Sequence, residues 1–208
     1  KTLIKTADLM VIRDPYVILG LVIIGVFILF VFSKMPDSKD KSSNINTGII
    51  FKKLAKNSRY SQGVIAQIFY VGAQIMCWTY IYQYAEGIGI DNVSAGYYQM
   101  AAFVLFVIGR AIATFLFRFF NPGKLLMIFA LFAIVSSLGV MLINNYLGLY
   151  CLVAVSLFMS LMFPTIYGIA LGNLSEEESK IGSAGLVMAI VGGALMPKLQ
   201  GMIIDIGG

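Results

Sequence analysis

The 208-residue sequence contains no histidine, only two cysteines and a single tryptophan. Without histidine the commonest metal ligand and the commonest general base are missing. Cys77 and Cys151 each fall inside apolar runs, where a thiol behaves as a small hydrophobe. These absences argue against an intramembrane metalloenzyme, and neither a metal site, a cofactor nor a disulfide framework is expected. Charge is scarce too: Asp, Glu, Lys and Arg make up 12% of the chain, against about a quarter in soluble proteins. Hydrophobic residues reach 59% and mean hydropathy is +0.88, the balance of an integral membrane protein. The net charge of +5 does not point to nucleic acid, because the basic residues gather beside apolar spans instead of forming one folded face. An enzyme acting on lipid or polyprenyl substrates would need acids or a nucleophile at the interface. The only acidic cluster, Glu176-Glu177-Glu178, lies in a short loop without a paired base. The chain opens Lys1-Thr2-Leu3 without an initiator Met or a signal-peptide pattern and stops at Gly207-Gly208, so both ends are expected to be cut.

What is present is a series of long apolar runs. Residues 1–15 are mildly amphipathic and read as an extracytoplasmic loop with an interfacial segment, ended by Pro15. Six spans are expected: Tyr16–Phe32, Gln62–Tyr84, Gly96–Phe117, Leu125–Ile143, Tyr146–Leu171 and Ile181–Ile204. Between the first two, residues 33–59 form a polar linker followed by TGIIFKKLAKNSRY, a short helix expected on the membrane surface. Seven of the fifteen Lys and Arg residues lie in this stretch, so it is expected to be a cytoplasmic loop. The later connections alternate between non-basic and basic sides, with RFFNPGK read as a cytoplasmic turn through Asn121-Pro122-Gly123. Residues 60–208 thus read as an all-α bundle.

Gln62–Tyr84 carries no charge for 23 positions, about 34 Å of helix against a hydrocarbon core of ~30 Å. Within it Gln67, Tyr70, Gln74 and Trp78 recur at spacings of three and four and share a face. Amides in hydrocarbon need partners or water, so the stripe reads as the wall of a substrate pathway. Interhelical hydrogen bonding and core packing are the plainer alternatives. In Tyr146–Leu171, Ser156, Ser160, Phe163 and Tyr167 step by four, three and four, and Pro164 frees a backbone carbonyl and permits bending. Ser160 is expected to bond back to its own helix. Two facing stripes of rings and amides suit a sugar, whose apolar face the rings cover and whose hydroxyls the amides satisfy. Gln74 and Trp78 are the leading candidates, followed by Tyr70, Gln67, Phe163 and Tyr167. Arg110, the only basic residue well inside an apolar run, either snorkels toward the cytoplasmic face or serves a gate. Gly185, Ala189 and Gly193, four apart, form a small-residue face for close packing.

Several local runs resemble one family. Tyr70-Val71-Gly72-Ala73-Gln74 with Cys77-Trp78, the pair Gly109-Arg110, Phe158-Met159-Ser160 leading to Pro164-Thr165-Ile166, Gly172-Asn173-Leu174, Gly182-Ser183 and Ile190-Val191-Gly192-Gly193 are similar to the fucose–galactose–hexose:proton symporters of the major facilitator superfamily. The resemblance covers nearly the whole chain. It implies the carboxy-terminal half of a twelve-helix fold, from span six to span eleven, in the inner membrane of a bacterium. It further implies import of a fucose-, galactose- or glucose-type monosaccharide with a proton, by alternating access. The missing amino-terminal half would be a partner and would hold the proton-coupling carboxylates. After Gly109 there is no acid before Arg118, a departure from the superfamily's loop signature that leaves no charge-relay lock there. An uncoupled facilitator for another small polar solute, or a noncatalytic membrane sensor or assembly subunit, stand as the alternatives.

Overall fold

The computed structural model describes residues 2–32 and 47–207, so the linker at 33–46 lies outside the described residues. The chain divides into two units, residues 1–44 and 45–208. The first contains α1, Thr2–Phe32, one continuous helix of 31 residues. Residues 2–15, expected as a loop ended by Pro15, are therefore helical. Proline's fixed φ suits a helix, so it bends the helix or removes one bond without having to end it. Among the described residues, the apolar part of α1 is Tyr16–Leu29, shorter than the five membrane-length helices that follow.

The second unit holds α2 (Thr47–Lys56), α3 (Ser58–Gly87), α4 (Asn92–Leu116), α5 (Pro122–Leu142), α6 (Tyr146–Met159), α7 (Met162–Leu171), α8 (Glu176–Met188), a single 3-10 turn at Ala189–Val191 and α9 (Gly192–Gly207). The short basic helix expected after the linker is α2, and it packs on α3 and α8 as part of this unit. Each crossing opens on a polar cap. Asn57 accepts from the Arg59 and Tyr60 amides, Asp91 from Val93 and Ser94, Asn121 from Gly123, and Asn145 from Leu147. Ser175 and Glu178 form a reciprocal capping box at α8. Asn121-Pro122-Gly123, expected as a turn, is instead a helix start, with Pro122 at the first helical position where no N–H is needed. Gly89, at φ +79, supplies the left-handed residue that closes α3 into α4.

Two expected spans are split. The crossing read as Tyr146–Leu171 breaks at Ser160–Leu161 between α6 and α7. Pro164 has no N–H for the Ser160 carbonyl and its ring crowds that carbonyl, which puts the break four residues upstream of the proline. Thr165 Oγ1 donates to the Leu161 carbonyl at 2.7 Å and Ser160 Oγ to the Leu157 carbonyl at 2.7 Å, the back-bonding expected of Ser160. The crossing read as Ile181–Ile204 breaks at the 3-10 turn, with Pro197 inside α9.

α3 is the axis of this unit and touches α2, α4, α6, α7, α8 and α9. Three tyrosine hydroxyls tie it to backbone carbonyls along its length. Tyr60 donates to Gly182 at 3.0 Å, Tyr70 to Met159 at 2.9 Å, and Tyr84, near the C-terminal end of α3, to Ile143. Where α3 meets α9 the backbones nearly touch, and a Cβ on Gly192 would strike the Ile68 carbonyl. Gly185 and Gly193 lie on the same side, against Tyr60 and against Val71 and Ile75, in line with a small-residue packing face. Tyr82, Tyr97, Tyr146 and Tyr150 are exposed near the end of α3 and the starts of α4 and α6, where amphipathic rings suit a membrane interface.

Candidate functional site

The stripe on α3 meets the end of α6 and the start of α7 through Tyr70 and Trp78, and its members have different surroundings. Trp78, half-buried, donates from Nε1 to Ser156 Oγ at 3.1 Å and is packed edge-on by Phe103 and Phe106, with ring centroids 4.9 and 5.4 Å away. Tyr70, 7% exposed, spends its hydroxyl on the Met159 carbonyl, and its ring lies 6.5 Å from that of Phe163. Gln74, between them, is 8% exposed and has no hydrogen-bond partner among the described residues. Gln67 is fully buried, and neither polar atom of its amide has a partner. A sealed, unpaired amide costs about 1–3 kcal/mol, so this position is a strained one energetically.

Across from them, Phe163 and Tyr167 are half-buried and stack at 6.4 Å with 13° between planes. Ser156 and Ser160 are buried and engaged, the first with Trp78 and the second with its own helix. The break at Ser160–Leu161 interrupts the second stripe, so its serine and aromatic halves belong to separate helices. Trp78, Phe163 and Tyr167 keep partial exposure, which leaves ring surface for a ligand on a face of the unit. The cavities that border this region flank α7. One of about 280 Å³ is lined by Phe117, Pro122, Pro164, Thr165, Gly168 and Ile169. Another of about 320 Å³ runs past Arg59, Gln62, Gly63 and Leu126 to Ile166 and Ala170. Neither is lined by Gln74 or Trp78.

Arg110 is exposed, its guanidinium carbon 5.8 Å from the Phe106 ring centre, close enough for a cation–π contact. Its neighbour Gly109 is buried against the break in the split crossing. A Cβ there would lie 2.6 Å from both the Leu157 carbonyl oxygen and Ser160 Oγ. Sequence reasoning gave Gly109 no site role, and it missed the Phe103 and Phe106 cradle around Trp78. The only signal for the latter was the spacing of aromatic residues on α4. Among the described residues no group of three or more Cys, Asp or Glu side chains could hold a metal ion.

Five membrane-length helices, two of them interrupted, with a polar and aromatic stripe on the axial helix, define a multi-pass membrane protein with transporter architecture. The family model of the Major Facilitator Superfamily matches residues 8–198, and the chain belongs to that superfamily. It is 51% identical over 208 residues to the L-fucose-proton symporter of Haemophilus influenzae, covering 100% of this chain and 48% of that protein. It is 28% identical over 200 residues to the glucose/galactose transporter of Brucella abortus, covering 93% and 47%. The crystal structure of the E. coli fucose:proton symporter superposes with a TM-score of 0.83 at 32% identity, over 94% of this chain and 49% of that one. The chain spans about half the length of the curated relatives it matches. Its fold is that of the carboxy-terminal half of a major facilitator, and its relatives are transporters, not enzymes.

Proposed function

We propose that this chain forms the carboxy-terminal half of a proton-coupled importer of a fucose-, galactose- or glucose-type monosaccharide, working by alternating access in a bacterial inner membrane. Gln74 carries the reading: its amide has no protein hydrogen-bond partner among the described residues, and it lies on α3 between Tyr70 and Trp78, whose rings pack against Phe163 and against Phe103 and Phe106. In that reading Gln74 bonds sugar hydroxyls, while Trp78, Phe163 and Tyr167 cover the apolar face of the ring. Tyr70 supplies ring surface, and Gln67 reaches substrate only after a rearrangement that unseals it. Pro164 and Arg110 belong to the gating machinery. The names and extent of the relatives support the sugar, the proton and an amino-terminal half as partners.

An uncoupled facilitator is the second reading. Among the described residues no carboxylate is buried in the middle of a crossing, and Glu178 sits at the start of α8 beside Lys53, so a coupling acid, which the first reading requires and the second does not, belongs to the half of the transporter outside this chain. The complete protein in liposomes separates the two. Symport predicts accumulation of labelled sugar under an inward proton gradient, abolished by an uncoupler, and depressed by Gln74→Ala or Trp78→Ala. Equilibration that ignores the gradient supports a facilitator, and no uptake of any hexose or deoxyhexose defeats the sugar symporter.

A further inference from the structure

Several short hydroxyl side chains of the crossings spend themselves on carbonyls three or four residues upstream. Thr79 donates to Ile75 and Met76, Thr114 to Arg110, Ser160 to Leu157 and Thr165 to Leu161, the usual way such a group is satisfied inside a helix. Ser156 serves a different helix. It is 1% exposed, and its Oγ accepts the indole N–H of Trp78, 78 positions away on α3, at 3.1 Å. The same indole is packed edge-on by Phe103 and Phe106 of α4, with 88° and 78° between ring planes. A tryptophan side chain has only two torsions to fix, and here three contacts from two other helices bear on them. An edge-on ring contact tolerates a wide range of separations, whereas a hydrogen bond weakens steeply once its donor angle falls below about 120°. Ser156 is therefore the contact that selects one rotamer.

That bond also spends the only polar atom of the indole. Its N–H is a donor and the ring carries no acceptor, so an indole bonded to Ser156 offers a ligand its π surface and no hydrogen bond. Gln74, one turn earlier on α3, is in the opposite condition, with an amide that has no protein partner among the described residues. We propose that Ser156 is a positioning residue: by accepting the Trp78 N–H it holds the indole in one rotamer and withdraws its donor from the ligand, so that Trp78 covers the apolar face of a sugar and leaves the hydrogen bonding of its hydroxyls to Gln74. This rests on the reading of Trp78 and Gln74 as sugar contacts and divides the work between them.

The test uses the complete protein with Trp78 as its only tryptophan, any other being replaced by phenylalanine, in proteoliposomes. Ultraviolet resonance Raman spectra follow the indole band that reports hydrogen bonding of the N–H. In the parent the band keeps its position when L-fucose or D-galactose is added, and in Ser156→Ala it moves before any sugar is present. Loss of one interhelical bond of this kind lowers the population of the held rotamer about fivefold. KM for the transported sugar rises by the same factor, about fivefold, while the maximal rate stays within about twofold. In a Trp78→Phe background Ser156→Ala leaves KM unchanged, because no N–H remains to be held. An equal rise of KM in both backgrounds overturns the proposal, since the serine would then act without the indole. A parent band that shifts on adding sugar overturns it too, since the N–H would then turn to the substrate. Should no sugar be transported, the reading of Trp78 as a sugar contact falls by itself; a band that Ser156→Ala leaves in place then overturns the positioning role, and a band that moves upholds it.

Discussion

Gln67 and Gln74 are seven residues apart on one helix face and carry the same amide, yet their environments call for opposite outcomes on mutation. Gln67→Met removes a sealed, unpaired group and keeps the volume, so thermal unfolding of the detergent-solubilised protein should show a gain of about 1 kcal/mol or more. If the amide is paired in another transport state, the same variant turns over more slowly. Gln74→Leu removes no protein hydrogen bond from a side chain that is 8% exposed, so its stability should not fall below that of the parent. Its KM for sugar should rise about tenfold or more, because a hydroxyl of the bound sugar loses its partner. Trp78→Phe retains the edge-on contacts with Phe103 and Phe106 but loses the bond to Ser156, at a cost of about 1 kcal/mol for an interhelical bond in a membrane. The stripe itself was legible from spacing alone. Which of its members were already engaged was not, because the Tyr70 partner is a backbone carbonyl, a group every residue carries and no sequence pattern marks.

At the scale of the helices, hydropathy located the crossings and caps set their ends. α3 starts at Ser58 and runs to Gly87, beyond the apolar run at both ends, since Asn57 satisfies its first amides and the helix continues into the interface. Asp91 caps α4, and hydrogen bonds from Ser94, side chain first and then backbone, hold its carboxyl below the ordinary carboxylate range. A lowered folded pKa means the contribution of this cap is complete above the unfolded value and is lost as pH falls through the lowered one. Amide exchange at Val93 and Ser94 should therefore stay slow through mild acidification and quicken only below the ordinary carboxylate range. In Asp91→Asn it should show no such step. The split crossings follow from Pro164 and from the segment before Pro197, but proline fixes only the missing bond. Whether the helix bends, breaks or is bridged depends on what packs beside it. Gly109 illustrates this: a Cβ there collides with the Leu157 carbonyl and Ser160 Oγ, so Gly109→Val should destabilise by about 1–3 kcal/mol. Gly168→Ala, facing open space, should be neutral in the same unfolding assay.

At the scale of the whole molecule, the distribution of basic residues predicts an orientation for the bundle, with the basic loops in the cytoplasm. Single cysteines at Ile90 and Asn144 should react with a membrane-impermeant thiol reagent in intact cells, whereas cysteines at Lys56 and Lys124 should react only after permeabilisation. The reverse pattern would sink the assigned orientation. Composition and run length determined by themselves that this chain crosses a membrane many times and which face of α3 is polar. These are properties each segment has alone, because the transfer of a side chain or a span into hydrocarbon depends on its own chemistry. Only the tertiary structure decided that α3 is held at three levels by tyrosine hydroxyls and that the Gln67 amide is sealed without a partner. Those are pairings between residues as much as 122 positions apart, and a hydrogen bond exists only once packing has brought donor and acceptor within about 3 Å.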